Sequence, residues 1–314
     1  MNKKKTIKLI GNIITSIVIF FIAKRLLSYD IDWKMLFRPD NFFILFLLII
    51  GYSLNVVLIC IPWKVILEII TSVKIKFKEI VLISCRSNAL KYIPGNVFQY
   101  VGRNQIAFKL DFNHLDVGIS TIIDVFINIL SIFLTSLILY FPGIKIWIDK
   151  FGLLNLKVVI MFLILFVLIV AIASTLLREK IIYYIKRYRV LFTKESLKKI
   201  FLCMLYYSMQ GIFTAIIYII VVKYIVGVQL PNNKLNIIVG AFLLSWILGF
   251  IMIGAPAGIG IREGSMALLI KDIIPTEEVL LSMLIYRIIT TFGDAVALFF
   301  AKVISLKYSR RVDK

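Results

Sequence analysis

Histidine is nearly absent from this sequence, since His114 is the only one among 314 residues. A single imidazole excludes metal sites built from several histidines, and it excludes triads or proton shuttles that need a second imidazole. The three cysteines, Cys60, Cys85 and Cys203, lack CxxC spacing and each lies in an apolar stretch. We therefore expect no structural disulfide, no metal site and no cofactor.

Acidic residues are also scarce: 17 Asp and Glu stand against 37 Lys and Arg, for a net charge of +20. Yet 61% of the residues are apolar and mean hydropathy is +0.97, whereas soluble domains are roughly 45 to 50% apolar. The composition predicts a membrane protein. No basic segment is interleaved with aromatics on a soluble module, so we expect the cations to set topology and contact membrane lipids, and we expect no nucleic acid partner.

Six apolar runs are each long enough to cross a bilayer core of about 30 Å, which needs roughly 20 helical residues. The first run follows a basic N-terminus as in a signal peptide, but no small-x-small cleavage site follows Phe21, so we expect this run to be retained. The predicted spans are residues 7–23, 41–63, 117–141, 158–177, 200–222 and 279–301.

The basic residues also predict orientation, because short cytoplasmic loops are enriched in Lys and Arg. With the N-terminus inside, 21 of the 37 basic residues fall on the cytoplasmic side and ten outside. The largest group is the stretch 178–199, which we interpret either as an interfacial helix on anionic lipid or as a solvated basic loop. We expect a multi-pass protein of the plasma membrane with both termini in the cytoplasm.

Two further apolar segments are interrupted by Pro and Gly, and proline, with seven residues in the chain, is rare enough for its positions to be informative. Residues 79–110 break at Pro94-Gly95-Asn96, which leaves arms of about 14 residues, or about 21 Å, too short to cross. Residues 235–275 break between Gly254 and Gly260. We interpret both as re-entrant hairpins, although full crossings of both arms would leave the other loops on the same sides.

The order of these segments repeats along the chain. Residues 1–145 and 150–310 each contain two spans, a broken hairpin followed by an arginine, and a third span. Three crossings is an odd number, so the second half is inverted relative to the first, as in secondary transporters that bind substrate near the midplane. The predicted fold is all-α: one polytopic membrane domain, residues 1–314, with about six full spans, two re-entrant broken hairpins and an inverted repeat.

Cationic side chains near the breaks are the first candidates for binding a substrate. A half-helix that begins after a break points free N–H groups and a positive dipole at it, which favours a phosphate or a carboxylate. Arg103 and Arg262 follow the breaks by about two turns and one turn, at a depth where a charge is a functional candidate. Arg86 and Lys91 lie nearer the interface, where snorkelling to headgroups is the simpler interpretation. The other substrate-binding candidates are the break residues Pro94, Gly95, Gly102, Pro256, Gly258 and Gly260.

Three carboxylates lie at membrane depth: Asp124, Glu263 and Asp294. Structural pairing between helices is the first interpretation for Asp124, Arg287 and Asp294. Arg262 and Glu263 are adjacent and point about 100° apart on a helix, so each requires a separate partner. Glu263 is also a substrate-binding candidate, and beside the break it is placed to accept a proton and couple transport to the proton gradient.

The residues around both breaks resemble a known family. Residues 91–95 (KYIPG) followed by Gly102-Arg103, and residues 256–264 (PAGIGIREG), are similar to the lysylphosphatidylglycerol synthase transmembrane-region family, with a hydropathy match over nearly the whole chain. The resemblance implies a membrane protein that moves anionic or aminoacylated phospholipids, or polyprenyl-linked lipids, between leaflets. The synthases of that family append a soluble aminoacyl-transferase domain. Here the sequence ends thirteen residues after Ala301, so we expect no aminoacylation chemistry.

Three classes of function stay open at this stage. The first is a lipid translocase, a transporter more than an enzyme, that holds a lipid phosphate at Arg103 and Arg262. The second is an integral-membrane headgroup or glycosyl transferase, which needs an acidic cluster at the interface, and only Asp30, Asp32 and Asp40 cluster outside. The third is a non-catalytic partner that docks an enzyme of cell-envelope biosynthesis through residues 178–199. The sequence favours the first class.

Overall fold

The computed structural model describes residues 38–92, 97–151, 187–251, 258 and 260–312. The predicted spans 7–23 and 158–177 lie outside the described residues, as do Pro94, Gly95 and Pro256. Within the described part every regular element is helical and no strand is present. The all-α prediction is therefore confirmed.

The described chain contains both long and short helices. Short helical turns of 3-10 type lie at Ala89–Tyr92, Arg189–Phe192 and Asn232–Lys234, and a π-helical stretch lies at Val221–Val226. The α-helices are α1 (Pro39–Leu58), α2 (Cys60–Thr71), α3 (Phe77–Asn88), α4 (Phe98–Phe108), α5 (His114–Phe151), α6 (Lys194–Ile220), α7 (Leu235–Ile251), α8 (Ile261–Ile270) and α9 (Thr276–Val312).

Five stretches of the described chain are long and apolar enough to cross a membrane: Pro39–Thr71, His114–Gly143, Lys194–Val226, Asn232–Ile251 and Thr276–Val303. Four of them contain the predicted spans 41–63, 117–141, 200–222 and 279–301, and confirm these. The fifth contains α7, which the sequence pattern assigned to the first arm of a re-entrant hairpin. Large apolar side chains are exposed along these helices, including Phe42, Phe126 and Phe299, as a lipid-facing surface requires. The chain is a multi-span membrane protein.

The helices around residues 93–96 are much shorter than the spans. α3 has 12 residues and α4 has 11, so each is about 17 to 18 Å long, well below the thickness of the hydrocarbon core. They pack against each other and, with α2, α5 and the end of α9, enclose an apolar cluster centred on Trp63, Ile80 and Val117. α7 packs in the same way against α8, which has only 10 residues.

Contacts between the long helices give their relative directions. α5 and α6 run the same way, because Ile127 packs near Cys203 while the later Thr135 donates a hydrogen bond to Ser208, Oγ1 to Oγ, at 2.8 Å. α1 runs opposite to α6, because Tyr206 contacts Leu58 and Gln210 contacts the earlier Asn55. α9 runs parallel to α1: Gly293 lies against Tyr52, and the later Ala297 shares a cluster with Val56. α1 and α9 thus run opposite to α5 and α6.

Glycines allow the closest approaches between these helices. A Cβ on Gly240 of α7 would lie 2.6 Å from the backbone N of Tyr140 on α5. A Cβ on Gly293 of α9 would lie 2.6 Å from the Tyr52 ring on α1. Because lipid is as apolar as the helices themselves, contact of this kind, between small residues and their neighbours, is a main source of helix association in membranes.

The described end of the basic stretch 178–199 is held against the start of α5. The Tyr188 hydroxyl donates a hydrogen bond to Asp116 Oδ1 at 2.9 Å, and Tyr188 and Leu191 are both buried. Burial and the neighbouring Asp116 carboxylate raise the pKa of Tyr188. The segment therefore has a fixed position at one end of the helical bundle.

Candidate functional site

Asp294 of α9 is surrounded by donors from the end of α3 and from the turn Ala89–Tyr92 that follows it. Its carboxylate accepts hydrogen bonds from Asn88 Nδ2 at 2.8 Å and from the Tyr92 hydroxyl at 2.5 Å, and it forms an ion pair with Lys91 Nζ at 2.7 Å. Asp294 is only 5% exposed, so the charge is buried and is satisfied by three groups from one short stretch of chain. Lys91, a predicted binding residue, holds this stretch to α9.

Arg103 of α4 is the centre of a second group of buried side chains, here called the Arg103 cluster. Its Nη1 lies 2.9 Å from Asp124 Oδ2 on α5, and the Tyr207 hydroxyl of α6 donates to Oδ1 of the same carboxylate. The guanidinium also stacks over the Trp63 ring, 4.6 Å from its centroid, and lies 5.8 Å from that of Tyr100. The cluster ties together α2, α4, α5 and α6.

Glu263 holds the start of α8. It accepts a hydrogen bond from the Gly260 backbone N at 2.8 Å and pairs with Arg287 Nε on α9, and Arg287 Nη2 also donates to the Gly258 carbonyl at 3.1 Å. Gly258 and Gly260 have φ of +70° and +85°, which side-chain-bearing residues rarely adopt. At Gly258 a Cβ would also lie 2.8 Å from the backbone of Gly249. Glycine is therefore required at this turn by both conformation and space.

Arg262 sits beside this turn without a carboxylate partner among the described residues. Its Nε is buried and makes no hydrogen bond within that part of the chain. The side chain lies across the α7 backbone at Gly249, where a Cβ would be 2.4 Å from Arg262 Cγ, and over the Trp246 ring at 5.6 Å.

The charges around Arg262 do not balance. We call the five ionisable side chains of this region the central charge cluster: Lys91, Arg262, Glu263, Arg287 and Asp294. It contains three cations and two carboxylates, and the two ion pairs described above use both carboxylates. Among the described residues of the cluster, Arg262 is thus the excess positive charge.

Aromatic rings connect the two arginines. Tyr100, which lies beside Arg103, packs edge-on against Phe250 of α7 with ring centroids 6.4 Å apart. Phe250 stacks on Trp246 at 5.4 Å, and Trp246 carries Arg262 on its face. α4 contributes Tyr100 and α7 contributes the other two rings, so α4 and α7 meet between the arginines.

Two predicted candidates among the described residues remain, Arg86 and Gly102. Arg86 is exposed on α3. Gly102 allows α4 to approach the turn Ala89–Tyr92, because a Cβ there would lie 2.1 Å from Leu90 Cδ1. The structure thus brings Lys91, Arg262, Glu263, Arg287 and Asp294 together, with Arg103 and Asp124 alongside.

Sequence reasoning did not select the aromatic residues of this region. Trp63 and Trp246 each carry an arginine on the ring face, and Tyr207 holds Asp124. For Trp246 the available signal was its position in the middle of an apolar run, away from the interfaces where aromatics are enriched. In the described residues no group of three or more His, Cys, Asp or Glu side chains is arranged to hold a metal ion.

Fold and site together define an all-α, multi-span membrane protein with buried charges where the turn after α3 and the start of α8 meet α9. Comparisons of the chain with known protein families, with curated proteins and with solved structures found no match.

Proposed function

We propose that the protein is a lipid translocase that moves a lipid with an anionic headgroup between the leaflets of the membrane. The observation that carries the proposal is Arg262, a cation inside a bundle of membrane helices whose neighbouring carboxylates are both paired with other cations. A cation at the bilayer centre costs roughly 2.5 to 3.5 kcal/mol on insertion scales. An anionic ligand offsets that cost.

The start of α8 adds to the attraction for an anion. The first-turn N–H groups of a helix lack helical acceptors, and the helix dipole places partial positive charge there. Glu263 uses the Gly260 N–H, while Arg262 extends from the same turn. A phosphate is the anionic group that a membrane lipid offers at such a position.

The broken helices support translocation over static binding. Helices interrupted at membrane depth are typical of transporters, because exposed backbone there must line a protein-enclosed or hydrated cavity. The described elements follow a similar order twice: a long helix, two shorter helices that pack against each other, and another long helix. We therefore retain the inverted repeat, with re-entrant hairpins, as part of the proposal.

The resemblance to the lysylphosphatidylglycerol synthase transmembrane region agrees with this function. Its second motif includes Arg262 and Glu263, and the two residues have separate tasks: Arg262 binds the headgroup, while Glu263 fixes the turn and Arg287. Arg103, which the sequence suggested as a second phosphate ligand, is assigned to holding α4 against α5 through Asp124. Proton coupling through Glu263 is not needed for the proposal.

Reconstitution into vesicles tests the proposal. Purified wild-type protein is expected to accelerate the exchange of an acyl-chain-labelled anionic phospholipid between leaflets, measured by quenching of the label with an impermeant reductant. Arg262→Gln should lower the rate about tenfold or more, since a charged hydrogen-bond partner is lost. Lys223→Gln, an exposed cation outside the site, is the matched control and should not change it.

Two results would contradict the proposal. One is an exchange rate equal to that of protein-free vesicles. The other is full activity of the Arg262→Gln protein. Uptake of radiolabelled inorganic phosphate into the same vesicles, without lipid exchange, would assign the site to a free anion instead of a lipid.

A further inference from the structure

The acidic residues at membrane depth determine whether a proton can cross the bilayer together with a lipid. Proton-coupled transporters use membrane-embedded Asp, Glu or His side chains that take up and release a proton. The only histidine, His114, is exposed at the start of α5. The predicted spans that lie outside the described residues contain no Asp, Glu or His. The candidates are thus the three carboxylates at membrane depth, Asp124, Glu263 and Asp294.

Asp124 and Asp294 are each held by a cation. Asp124 Oδ2 lies 2.9 Å from Arg103 Nη1, and Asp294 Oδ2 lies 2.7 Å from Lys91 Nζ. The two carboxylate side chains are only 6% and 4% exposed. A proton taken up by either carboxylate would leave its cation buried without a counterion, which is strongly unfavourable. Neither carboxylate is therefore suited to carry a proton in each transport cycle.

Glu263 is the carboxylate beside the proposed phosphate site, and it is held in the same way. It pairs with Arg287 Nε and accepts a hydrogen bond from the Gly260 N–H at 2.8 Å. Arg287 also donates to the Gly258 carbonyl, and a Cβ on Gly258 would lie 2.9 Å from Arg262 Nε. The ion pair is therefore next to Arg262 and holds the turn as a carboxylate. Arg262 itself keeps its charge at every physiological pH.

Charges that belong to the protein do not add to the net charge that is moved. Arg262 and the three ion pairs return to their starting positions at the end of each transport cycle, so any work that the membrane potential does on them cancels. The net charge per cycle is that of the lipid plus that of any ion that crosses with it. A monoanionic lipid that crosses alone moves one negative charge, whereas one that crosses with a proton moves none.

We propose that translocation is electrogenic: the protein moves an anionic lipid without a proton, and the membrane potential drives the lipid toward the positive side of the membrane. For one elementary charge, a potential of about 59 mV corresponds to a tenfold ratio at equilibrium. Because the cytoplasm of a cell is negative relative to the outside, the expected net flow is from the inner leaflet to the outer leaflet. This inference rests on the proposed function and identifies its driving force.

Vesicles with a potassium gradient and valinomycin separate electrogenic from proton-coupled transport. The vesicles contain the purified protein and a trace of acyl-chain-labelled phosphatidylglycerol, which carries one negative charge, and an impermeant reductant measures the label in the outer leaflet. We expect the ratio of label between the positive and the negative side to rise tenfold for each increase of about 59 mV in the potential. A pH gradient at zero potential should leave the label evenly distributed. Symport with one proton predicts the reverse: a response to the pH gradient and none to the potential.

Arg287→Gln tests the link between the ion pairs and the charge that is moved. The change leaves Glu263 without its cation and keeps an N–H donor for the Gly258 carbonyl, so that Glu263 can take up a proton beside the bound lipid. We expect the label in this variant to follow the pH gradient and to respond less to the potential. Lys223→Gln, which alters an exposed cation outside the site, is the control and should behave as wild type.

The possible results distinguish this inference from the proposed function. Label that follows the pH gradient in wild-type protein, or that does not respond to the potential, would overturn electrogenic transport and leave the proposed function standing. Wild-type responses in Arg287→Gln would overturn the role given to the ion pairs. If Arg287→Gln does not fold, the two wild-type measurements decide alone. Label that does not move in any vesicle would overturn both.

Discussion

At the scale of single residues, two arginines that look alike in the sequence have opposite surroundings. Arg103 and Arg262 both follow a break that contains Pro and Gly, and both lie over a tryptophan ring. Arg103 has a carboxylate partner in Asp124, and Arg262 has none among the described residues. The first arginine is therefore part of the scaffold, and the second is the candidate ligand-binding group.

This difference predicts opposite effects on stability. Arg103→Met leaves the buried Asp124 charge unpaired and should destabilise the protein by about 3 to 5 kcal/mol. Combining it with Asp124→Asn removes that charge and should recover most of the loss. Arg262→Gln in lipid-free detergent should stay within about 1 kcal/mol of wild type. Thermal unfolding of the wild type and the three variants in one detergent measures the order of their stabilities. A large loss of stability in Arg262→Gln would show that this arginine has a structural partner.

A substitution at Gly249 tests the position of the Arg262 side chain. Gly249→Ala places a Cβ 2.4 Å from Arg262 Cγ and must displace the side chain, so lipid exchange should fall as in Arg262→Gln. Gly264→Ala is the matched control, because its Cβ meets open space, and a helical Gly→Ala change should add roughly 0.5 to 1 kcal/mol of stability. The exchange assay and unfolding curves of both variants test this. Normal exchange in Gly249→Ala would contradict the placement of Arg262.

At the scale of helices, apolar runs and helix-breaking residues were the sequence features that predicted the elements. Four of the five candidate spans among the described residues could be predicted, because about 20 apolar residues in a row are enough to cross a bilayer as a helix. α7 was harder to predict from the sequence. Its 17 residues make about 25 Å of helix, a length between that of a hairpin arm and that of a full span.

Helix contacts at glycine give a prediction at this scale. Gly240→Ala must push α7 away from the Tyr140 backbone, 2.6 Å from the new Cβ, whereas at Gly51 the new Cβ meets the Phe213 ring at an ordinary 3.7 Å. We expect Gly240→Ala to cost about 1 to 3 kcal/mol, the usual range for overpacking, and Gly51→Ala to be tolerated. Unfolding midpoints in detergent provide the comparison. Equal midpoints would mean that α5 and α7 adjust freely.

At the scale of the whole molecule, the pairing of charges was beyond sequence reasoning. Lys91 and Asp294 are about 200 positions apart, as are Tyr92 and Asp294. No periodicity within a helix specifies which of several buried cations meets which carboxylate. Sequence reasoning predicted that Asp124, Arg287 and Asp294 take part in pairing between helices, and the packing of the helices determines which cation or carboxylate each of them meets.

The charge distribution predicts how the bundle is oriented in the membrane. Glu195, at the start of α6, has a side chain 79% exposed, and Asn233 is exposed beyond its other end. We expect Glu195→Cys to react with an impermeant maleimide only from the cytoplasmic side and Asn233→Cys only from outside. The native Cys60, Cys85 and Cys203 are buried and provide a low background. Labelling of both introduced cysteines from one side would contradict the orientation.

The most direct test of the central claim is whether Arg262 binds an anionic lipid. Unfolding of wild-type protein in detergent is measured while phosphatidylglycerol or phosphatidylcholine is added, since a ligand that binds only the native state raises the unfolding midpoint. We predict a larger rise with phosphatidylglycerol, and loss of that difference in Arg262→Gln but not in Lys223→Gln. An equal rise with both lipids in wild-type protein, or an unchanged preference in Arg262→Gln, would contradict the account.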